Sequence, residues 1–140
     1  MDIQSFLGFA SYYRRFIKNF AEIANPLTEA TKLFKWESIQ QNSFETLKDK
    51  LTSPPLVLSF SVFGKGLFIL DTDASDIGMG SVLSQVIGNK EKVIAYGSKT
   101  LSQAEKSYCT TRKELLSVVV FTEKFKCYLQ EAHFIIRNDH

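Results

Sequence analysis

The chain has 140 residues, of which 44% are hydrophobic and 23% charged, which gives it enough apolar side chain for a folded core. Its formal net charge is +2 and both halves are balanced in charge, so the composition alone neither indicates nor excludes nucleic-acid binding. No signal-peptide pattern opens the sequence, and apolar runs such as residues 118–121 are far too short to cross a bilayer. The two cysteines lack metal-binding spacing, which favours a reduced, intracellular protein of the cytoplasm or nucleus.

The N-terminal third shows apolar residues at helical spacing. Residues 2–20 form the first predicted helix, with Asp2 as its N-cap. Asn25 and Pro26 predict the start of a second helix, because a proline at the first helical position loses no hydrogen bond. This second helix is expected to end near Lys32.

A third predicted helix carries three apolar side chains on one face: Phe44, Leu47 and Leu51. It must end before Pro54 and Pro55, which also mark the change from helical to strand-like spacing. The sequence thus predicts a three-helix segment over residues 1–55 and a second domain over residues 56–140. It does not decide whether the helical segment docks on the second domain or moves about the proline pair.

Beyond the prolines, the spacing predicts three strands at about residues 67–73, 79–86 and 92–98. Turn residues at positions 76–78 and 88–89 join these strands into an antiparallel meander.

Two capping-box patterns follow, at residues 102–105 and 111–114. The second opens a helix whose buried face is predicted to hold Leu115, Val118, Val119, Phe125 and Tyr128. Four charged side chains of this helix are expected to face water: Lys113, Glu123, Lys124 and Lys126. A last strand is predicted over residues 133–138.

The element order β-β-β-α-β predicts a mixed α+β or α/β fold, because a helical crossover places the fourth strand parallel to the first. The first and fourth strands then end at the same edge of the sheet, where Asp73 and Asp139 lie. Glu114 lies in the first turn of the connecting helix. Three carboxylates are therefore expected to converge at this edge.

Converging carboxylates suit a divalent cation such as Mg²⁺, which takes hard oxygen ligands and keeps several waters. Two such ions, about 4 Å apart, activate a water and stabilise the leaving oxygen in phosphodiester cleavage. Without a counter-charge the carboxylates would repel one another.

Each acidic residue also has a simpler interpretation. Asp73 and Asp76 are typical of residues that flank a hairpin turn, and Asp71 is typical of a solvated strand residue. Glu114 fits the capping-box partner of a preceding threonine, and Asp139 fits an exposed residue near a chain end.

A short aromatic and basic segment, residues 12–16, has the composition of nucleic-acid surfaces. Tyr13 and Phe16 also fit the core face of the predicted helix, so packing in the core is the favoured interpretation of these two rings. Arg14, Arg15 and Lys18 are expected to be free to contact phosphates.

A set of ordered motifs carries a family resemblance. In the helical segment they are Phe6-Leu7-Gly8, Tyr12-Tyr13-Arg14-Arg15-Phe16-Ile17, Pro26-Leu27-Thr28, Phe34-Lys35-Trp36, Phe44-Glu45-Thr46-Leu47-Lys48 and Leu51-Thr52-Ser53-Pro54-Pro55-Leu56. Beyond it they are Thr72-Asp73-Ala74-Ser75, Gly78-Met79-Gly80, Val82-Leu83-Ser84-Gln85, Ile94-Ala95-Tyr96, Glu105-Lys106-Ser107-Tyr108, Lys113-Glu114-Leu115-Leu116 and Asn138-Asp139-His140. Taken in order, they resemble the Pol polyproteins of gypsy-like LTR retrotransposons and retroviruses.

The resemblance implies a thumb- or connection-like segment of a reverse transcriptase, followed by the N-terminal part of its RNase H domain. Such domains cut the RNA strand of RNA/DNA hybrids with four acidic residues and two Mg²⁺ ions, for which Mn²⁺ is an alternative. By position, Asp73, Glu114 and Asp139 are the first three acids, hence the expected catalytic residues and metal ligands. Ser75 is an expected nucleic-acid contact, and Asn138 stands where threonine is commoner. The fourth acid and the polymerase aspartate pair have no counterpart in these residues.

Two hypotheses about function follow. In the first, the chain is a fragment of a reverse transcriptase and ribonuclease H that is weakly active or inactive alone. Its expected partners are the RNA/DNA hybrid and the rest of the polyprotein, and its expected location is a virus-like particle if the element is active. The second is a truncated or co-opted module that binds nucleic acid or protein without cutting. In either case the fourth strand is expected to expose an edge through which two copies could associate.

Overall fold

The computed structural model describes residues 2–52, 59 and 61–138. Three helices and one short 3-10 turn come first: α1 (Ile3–Tyr12), the turn Arg14–Phe16, α2 (Phe20–Leu33) and α3 (Ser38–Thr52). Three strands follow: β1 (Leu67–Ala74), β2 (Gly78–Ile87) and β3 (Lys90–Thr100). The chain continues through α4 (Gln103–Lys106), α5 (Thr110–Lys124), α6 (Lys126–Leu129) and β4 (Phe134–Asn138). Pro54, Pro55, Asp139 and His140 lie outside the described residues.

The start of α1 agrees with the sequence, since the Ser5 backbone N–H donates to Asp2 Oδ1 at 2.7 Å. The single helix expected over residues 2–20 is wrong, because α1 ends at Tyr12 and a left-handed Asn19 (φ 56°) begins α2. The helix start expected at Asn25 and Pro26 is also wrong: Pro26 lies inside α2.

The burial of one face of α2 explains why the helix continues through a proline, which normally costs about 3 kcal/mol inside a helix. Five residues of that face are buried: Phe20, Ala21, Ala24, Leu27 and Ala30. Two of them, Phe20 and Leu27, join Phe6 of α1 and Leu47 of α3 in one apolar cluster. The expected apolar face of α3 is confirmed, because Phe44 and Leu51 pack against the same cluster.

The four described strands form one sheet in the order β3-β2-β1-β4. Strands β1, β2 and β3 pair antiparallel, and β4 pairs parallel with β1, as the sequence predicted. In this register Asp73 lies opposite Gly80 of β2, and Thr72 lies opposite Asn138 of β4. The ends of β1 and β4 therefore meet at one edge of the sheet.

Helix α5 covers one face of the sheet and closes the main core. Phe121 is fully buried there beside Phe68, Leu70 and Leu83. A Cβ atom at Gly97 would lie 2.9 Å from the Phe121 ring, so the absence of a side chain lets the helix approach β3.

The buried face of α5 differs from the predicted one. Leu115 and Val119 are 63% and 66% exposed, whereas Lys113 and Glu114 are each only 7% exposed. Of the residues predicted for the buried face, Phe125 is buried, and Val118 and Tyr128 are half-buried. The remaining residues predicted to face water are exposed: Glu123, Lys124 and Lys126. The two buried charges have polar partners on the β1 side of the helix, which offset the cost of burying them.

One of the two predicted capping boxes is present. Ser102 Oγ accepts from the Glu105 backbone N–H at 3.2 Å, and Glu105 Oε2 accepts from the Ser102 N–H at 2.7 Å. The second is wrong, because α5 starts at Thr110 with Cys109 as an N-cap that makes no side-chain cap.

The helical segment docks on the face of the sheet opposite α5. Arg14 Nη2 donates to the Ser98 carbonyl at 2.6 Å and to Ser98 Oγ at 3.2 Å. The Ala21 backbone N–H donates to the same hydroxyl at 3.2 Å. The side chain of Asn19 lies over Gly80, where a Cβ atom would be 2.7 Å from Asn19 Oδ1. The helical segment thus reaches the strand residue that pairs with Asp73.

None of the helices in the described part of the chain is long and apolar enough to span a membrane.

Candidate functional site

The candidate site lies where β1 and β4 end. Asp73 is the penultimate residue of β1 and is exposed. Because side chains alternate along a strand, Asp73 points away from the face that α5 covers, whereas Thr72 points toward it. Asp139, the third expected acid, lies outside the described residues.

Glu114 is the fifth residue of α5 and is directed at the same strand ends. Its Oε1 atom accepts from the Ala74 backbone N–H at 3.3 Å, and its Oε2 atom accepts from Asn138 Nδ2 at 3.0 Å. The capping interpretation of Glu114 is therefore wrong. The carboxylate lies instead between α5, β1 and β4, and its partner Ala74 directly follows Asp73 in the chain.

A row of polar side chains crosses the sheet beside Glu114. Thr72 stands opposite Ser81 of β2 on one side and opposite Asn138 of β4 on the other. Asn138 Nδ2 donates to Thr72 Oγ1 at 3.0 Å as well as to Glu114. The buried Ser81 hydroxyl has no hydrogen-bond partner among the residues that the structure describes. Sequence reasoning missed this row, although the parallel register of the two strands implied the pairing of Thr72 with Asn138.

Asp71, two residues before Asp73, is held by an arginine. Arg137 donates to both carboxylate oxygens of Asp71, at 2.6 and 2.7 Å, and also to Glu91 at 2.8 Å. These contacts, first of all the hydrogen bonds that Arg137 donates to Asp71, raise the pKa of Arg137. Asp71 is thus an ion-paired strand residue.

Asp76 and Ser75 organise the turn between β1 and β2. Asp76 lies 2.9 Å from Lys113 Nζ, and this hydrogen bond and charge lower the pKa of Asp76. The Ser75 hydroxyl accepts from the Gly78 N–H at 3.1 Å and donates to the Gly78 carbonyl at 3.1 Å. Lys113, which was expected to face water, therefore ties α5 to the turn that follows Asp73.

A cavity of about 280 Å³ opens beside Asp73 on the face away from α5. Both segments of the chain line it, through Asp71, Asp73, Arg137 and Asn138 of the sheet and Lys18 and Asn19 of the helical segment. The helical segment therefore places one exposed lysine at the candidate site.

The basic and aromatic surface at the end of α1 departs from the predicted packing. Tyr13 and Phe16 are 39% and 40% exposed, and Tyr12 is 79% exposed, so core packing does not account for these rings. Arg15 lies 5.4 Å from the centroid of the Phe16 ring. Arg14, which was expected to be free, is held by Ser98, and its burial lowers its pKa.

The described part of the chain does not complete a metal site by itself. Within residues 2–52, 59 and 61–138, no group of three or more His, Cys, Asp or Glu residues is placed to hold a metal ion. Glu114 nonetheless fits such a role, because the hydrogen bonds described for its buried carboxylate come from two neutral donors and none from a cation. A buried carboxylate in that state favours a positive counter-charge.

This geometry defines an RNase H-like fold, in which three antiparallel strands and a parallel fourth are joined by a helix. The family profile of the RNase H-like domain found in reverse transcriptase matches residues 36–136, which is more than half of the chain. The chain belongs to this family.

Curated relatives extend the similarity to almost the whole chain. The retrovirus-related Pol polyproteins from transposons 297 and gypsy of Drosophila melanogaster are both 38% identical to it, over 143 and 153 residues. Each alignment covers 99% of this chain but only 13% and 14% of the relative. The transposon Tf2-3 polyprotein of Schizosaccharomyces pombe is 33% identical over 145 residues, covering 99% of this chain and 11% of that protein. The chain thus spans a small part of the polyproteins it matches.

Solved structures show the same fold at low sequence identity. A foamy viral protease-reverse transcriptase in complex with an RNA/DNA hybrid superposes with a TM-score of 0.77 and 20% identity. A second foamy viral structure, in complex with double-stranded DNA, gives a TM-score of 0.75 and 19% identity. Both comparisons cover 99% of this chain, and 19% and 25% of the foamy viral chains.

Proposed function

We propose that this chain is the part of a retroelement Pol polyprotein that links the reverse transcriptase to its RNase H active site, and that it binds RNA/DNA hybrid there. In the complete protein, the reaction is hydrolysis of the RNA strand. The observation that carries this proposal is the position of Glu114, whose buried carboxylate is directed at the ends of β1 and β4 rather than at its own helix terminus.

Asp73, Glu114 and Asp139 are the proposed catalytic acids and ligands of Mg²⁺ or Mn²⁺. When bound, the cation supplies activation of the attacking water and charge stabilisation for the leaving oxygen. The residues that would hold it are Glu114 of α5, whose carboxylate accepts two described hydrogen bonds, and Asp73 at the exposed end of β1, with Asp139.

The hybrid is proposed to contact the face that carries the cavity and the end of α1. Residues 3–21 contain three basic side chains and no Asp or Glu, which suits a phosphate backbone. Lys18 at the cavity and Arg15 beside the exposed rings are the proposed phosphate contacts. Arg14 and Ser75 were also predicted to contact nucleic acid. Their described hydrogen bonds hold the helical segment and the turn, so their proposed role is to stabilise this surface.

A cleavage assay tests this proposal. The chain alone is expected to cut a labelled hybrid weakly or not at all, because two-metal sites lose most of their rate when ligands are missing. A chimera that joins the chain to the downstream residues of the transposon gypsy relative is expected to cut it in Mg²⁺ or Mn²⁺. Asp73→Asn and Glu114→Gln should abolish that cleavage, and Asp76→Asn is the control that should not. Cleavage by the chimera that survives both site variants would contradict the proposed acids, and robust cleavage by the chain alone would contradict the expected weakness.

A second candidate function rests on the edge strand. Ile135 and Ile136 of β4 are 48% and 41% exposed, and β4 has one neighbour among the described strands. We infer that β4 pairs with a second copy when nothing else covers it, which would give a non-catalytic binding module. Sedimentation at increasing concentration tests this inference, and a strict monomer would exclude it.

A further inference from the structure

Asn138, the last described residue of β4, makes two of its hydrogen bonds to described residues through one nitrogen atom. Its Nδ2 atom lies 3.0 Å from Glu114 Oε2 and 3.0 Å from Thr72 Oγ1. A side-chain amide carries two N–H groups, so both contacts can be satisfied at once. Asn138 therefore connects α5, β1 and β4 at the point where the two parallel strands end.

The contact with Asn138 is the shorter of the two described hydrogen bonds to the Glu114 carboxylate, because the Ala74 N–H lies 3.3 Å from Oε1. A glutamate side chain loses considerable rotamer freedom when it is fixed in one orientation. Without Asn138, the longer of the two described bonds, from the Ala74 N–H, would have to fix the orientation of the carboxylate and offset its loss of rotamer freedom.

The identity of the residue matters as well as its position. A threonine at this place has one O–H donor, so it could donate to Glu114 and contact Thr72 only by accepting from the Thr72 hydroxyl. An asparagine can donate to both, so it holds Glu114 without depending on the orientation of the Thr72 hydroxyl.

We propose that Asn138 is a positioning residue that fixes the Glu114 carboxylate toward the strand ends and thereby sets the affinity of this site for a divalent cation. The orienting contact stands on the geometry alone. The effect on the cation rests on the proposed function. Outer hydrogen-bond partners of metal ligands typically change metal affinity by about 10- to 100-fold.

A double-mutant cycle in EDTA tests the contact without any metal. Asn138→Ala is expected to raise the unfolding equilibrium constant about tenfold when Glu114 is present, and less than about threefold when Glu114→Ala is already present. Equal factors in the two backgrounds would overturn the proposal.

Titration of Mn²⁺ with the 140-residue chain, followed by the electron paramagnetic resonance of free Mn²⁺, tests the consequence. Asn138→Ala is expected to weaken Mn²⁺ binding about tenfold or more, and Asn138→Thr to restore part of it. Phe134→Leu is the matched control: it disturbs the same strand, which packs on the core through Phe134, and should leave Mn²⁺ affinity within about twofold.

The outcomes separate the two claims. If Glu114→Ala weakens Mn²⁺ binding and Asn138→Ala does not, the positioning role is wrong. If Glu114→Ala itself has no effect, the proposed metal site is wrong, and the cycle in EDTA decides whether Asn138 orients Glu114.

Discussion

Ser98→Ala tests whether the helical segment is held on the sheet by the contacts at one serine. The Ser98 hydroxyl accepts from Arg14 Nη2 and from the Ala21 N–H, both at 3.2 Å. Ser98 and Ala21 are each only 6% exposed, so the Ala21 N–H would remain buried without its described partner. The 2.6 Å bond from Arg14 to the Ser98 carbonyl does not depend on the side chain and would persist.

The magnitude follows from these two contacts. A buried donor left without a partner costs about 1–3 kcal/mol, and the second bond, from a charged guanidinium that keeps its carbonyl acceptor, adds about 0.5–1 kcal/mol. The variant is therefore expected to lose about 1.5–4 kcal/mol of unfolding free energy, measured by urea denaturation. Amide exchange should accelerate first in α2, since local opening of the helical segment needs fewer broken contacts than global unfolding.

A matched control and a clear contrary result make the test decisive. Thr100→Ala changes an exposed hydroxyl two residues further along the same strand and should change stability by less than about 0.5 kcal/mol. A loss of less than about 0.5 kcal/mol in Ser98→Ala, with unchanged exchange in α2, would refute the docking role given to Ser98.

Three further predictions concern the core and the pH dependence. Gly97→Ala brings a Cβ atom to 2.9 Å from the Phe121 ring and is expected to cost about 1–3 kcal/mol by urea denaturation. Phe121→Ala removes a fully buried ring and is expected to cost about 3–5 kcal/mol in the same assay. The hydrogen bond from Lys99 lowers the pKa of Glu105. The stability that this ion pair adds to the folded state is therefore present above the ordinary carboxyl pKa of 4.5 and is lost as the pH falls below that value. Glu105→Gln should therefore flatten the acid limb of a stability-against-pH curve, and an unchanged limb would contradict this assignment.

The sequence predicted the order and pairing of the strands because each signal was local. Alternating apolar residues and turn residues located β1, β2 and β3, and the helical crossover set β4 parallel to β1. Asp73 was placed at the end of β1 by the same reasoning.

The face of α5 could not be predicted because its partners are distant in the chain. Lys113 is buried against Asp76, which is 37 residues away, and Glu114 reaches Ala74 across 40 residues. A periodicity argument ranks Leu115 and Val119 above these charged residues for burial, and only the fold supplies the polar partners that reverse the order. The helix that continues through Pro26 has the same explanation, since tertiary packing outweighs a local stop signal.

Because the helical segment docks on the sheet, the boundary predicted at residues 54–55 lies between two segments that contact each other. The family profile already begins at residue 36, inside the helical segment, and Lys18 and Asn19 line the cavity beside Asp73. If the candidate site uses the positive charge of Lys18 to bind a phosphate group, the helical segment and the sheet act as one nucleic-acid surface. Ser98 then connects folding to function, because the serine that holds Arg14 and Ala21 also keeps Lys18 near the strand ends where the catalytic acids are proposed to lie.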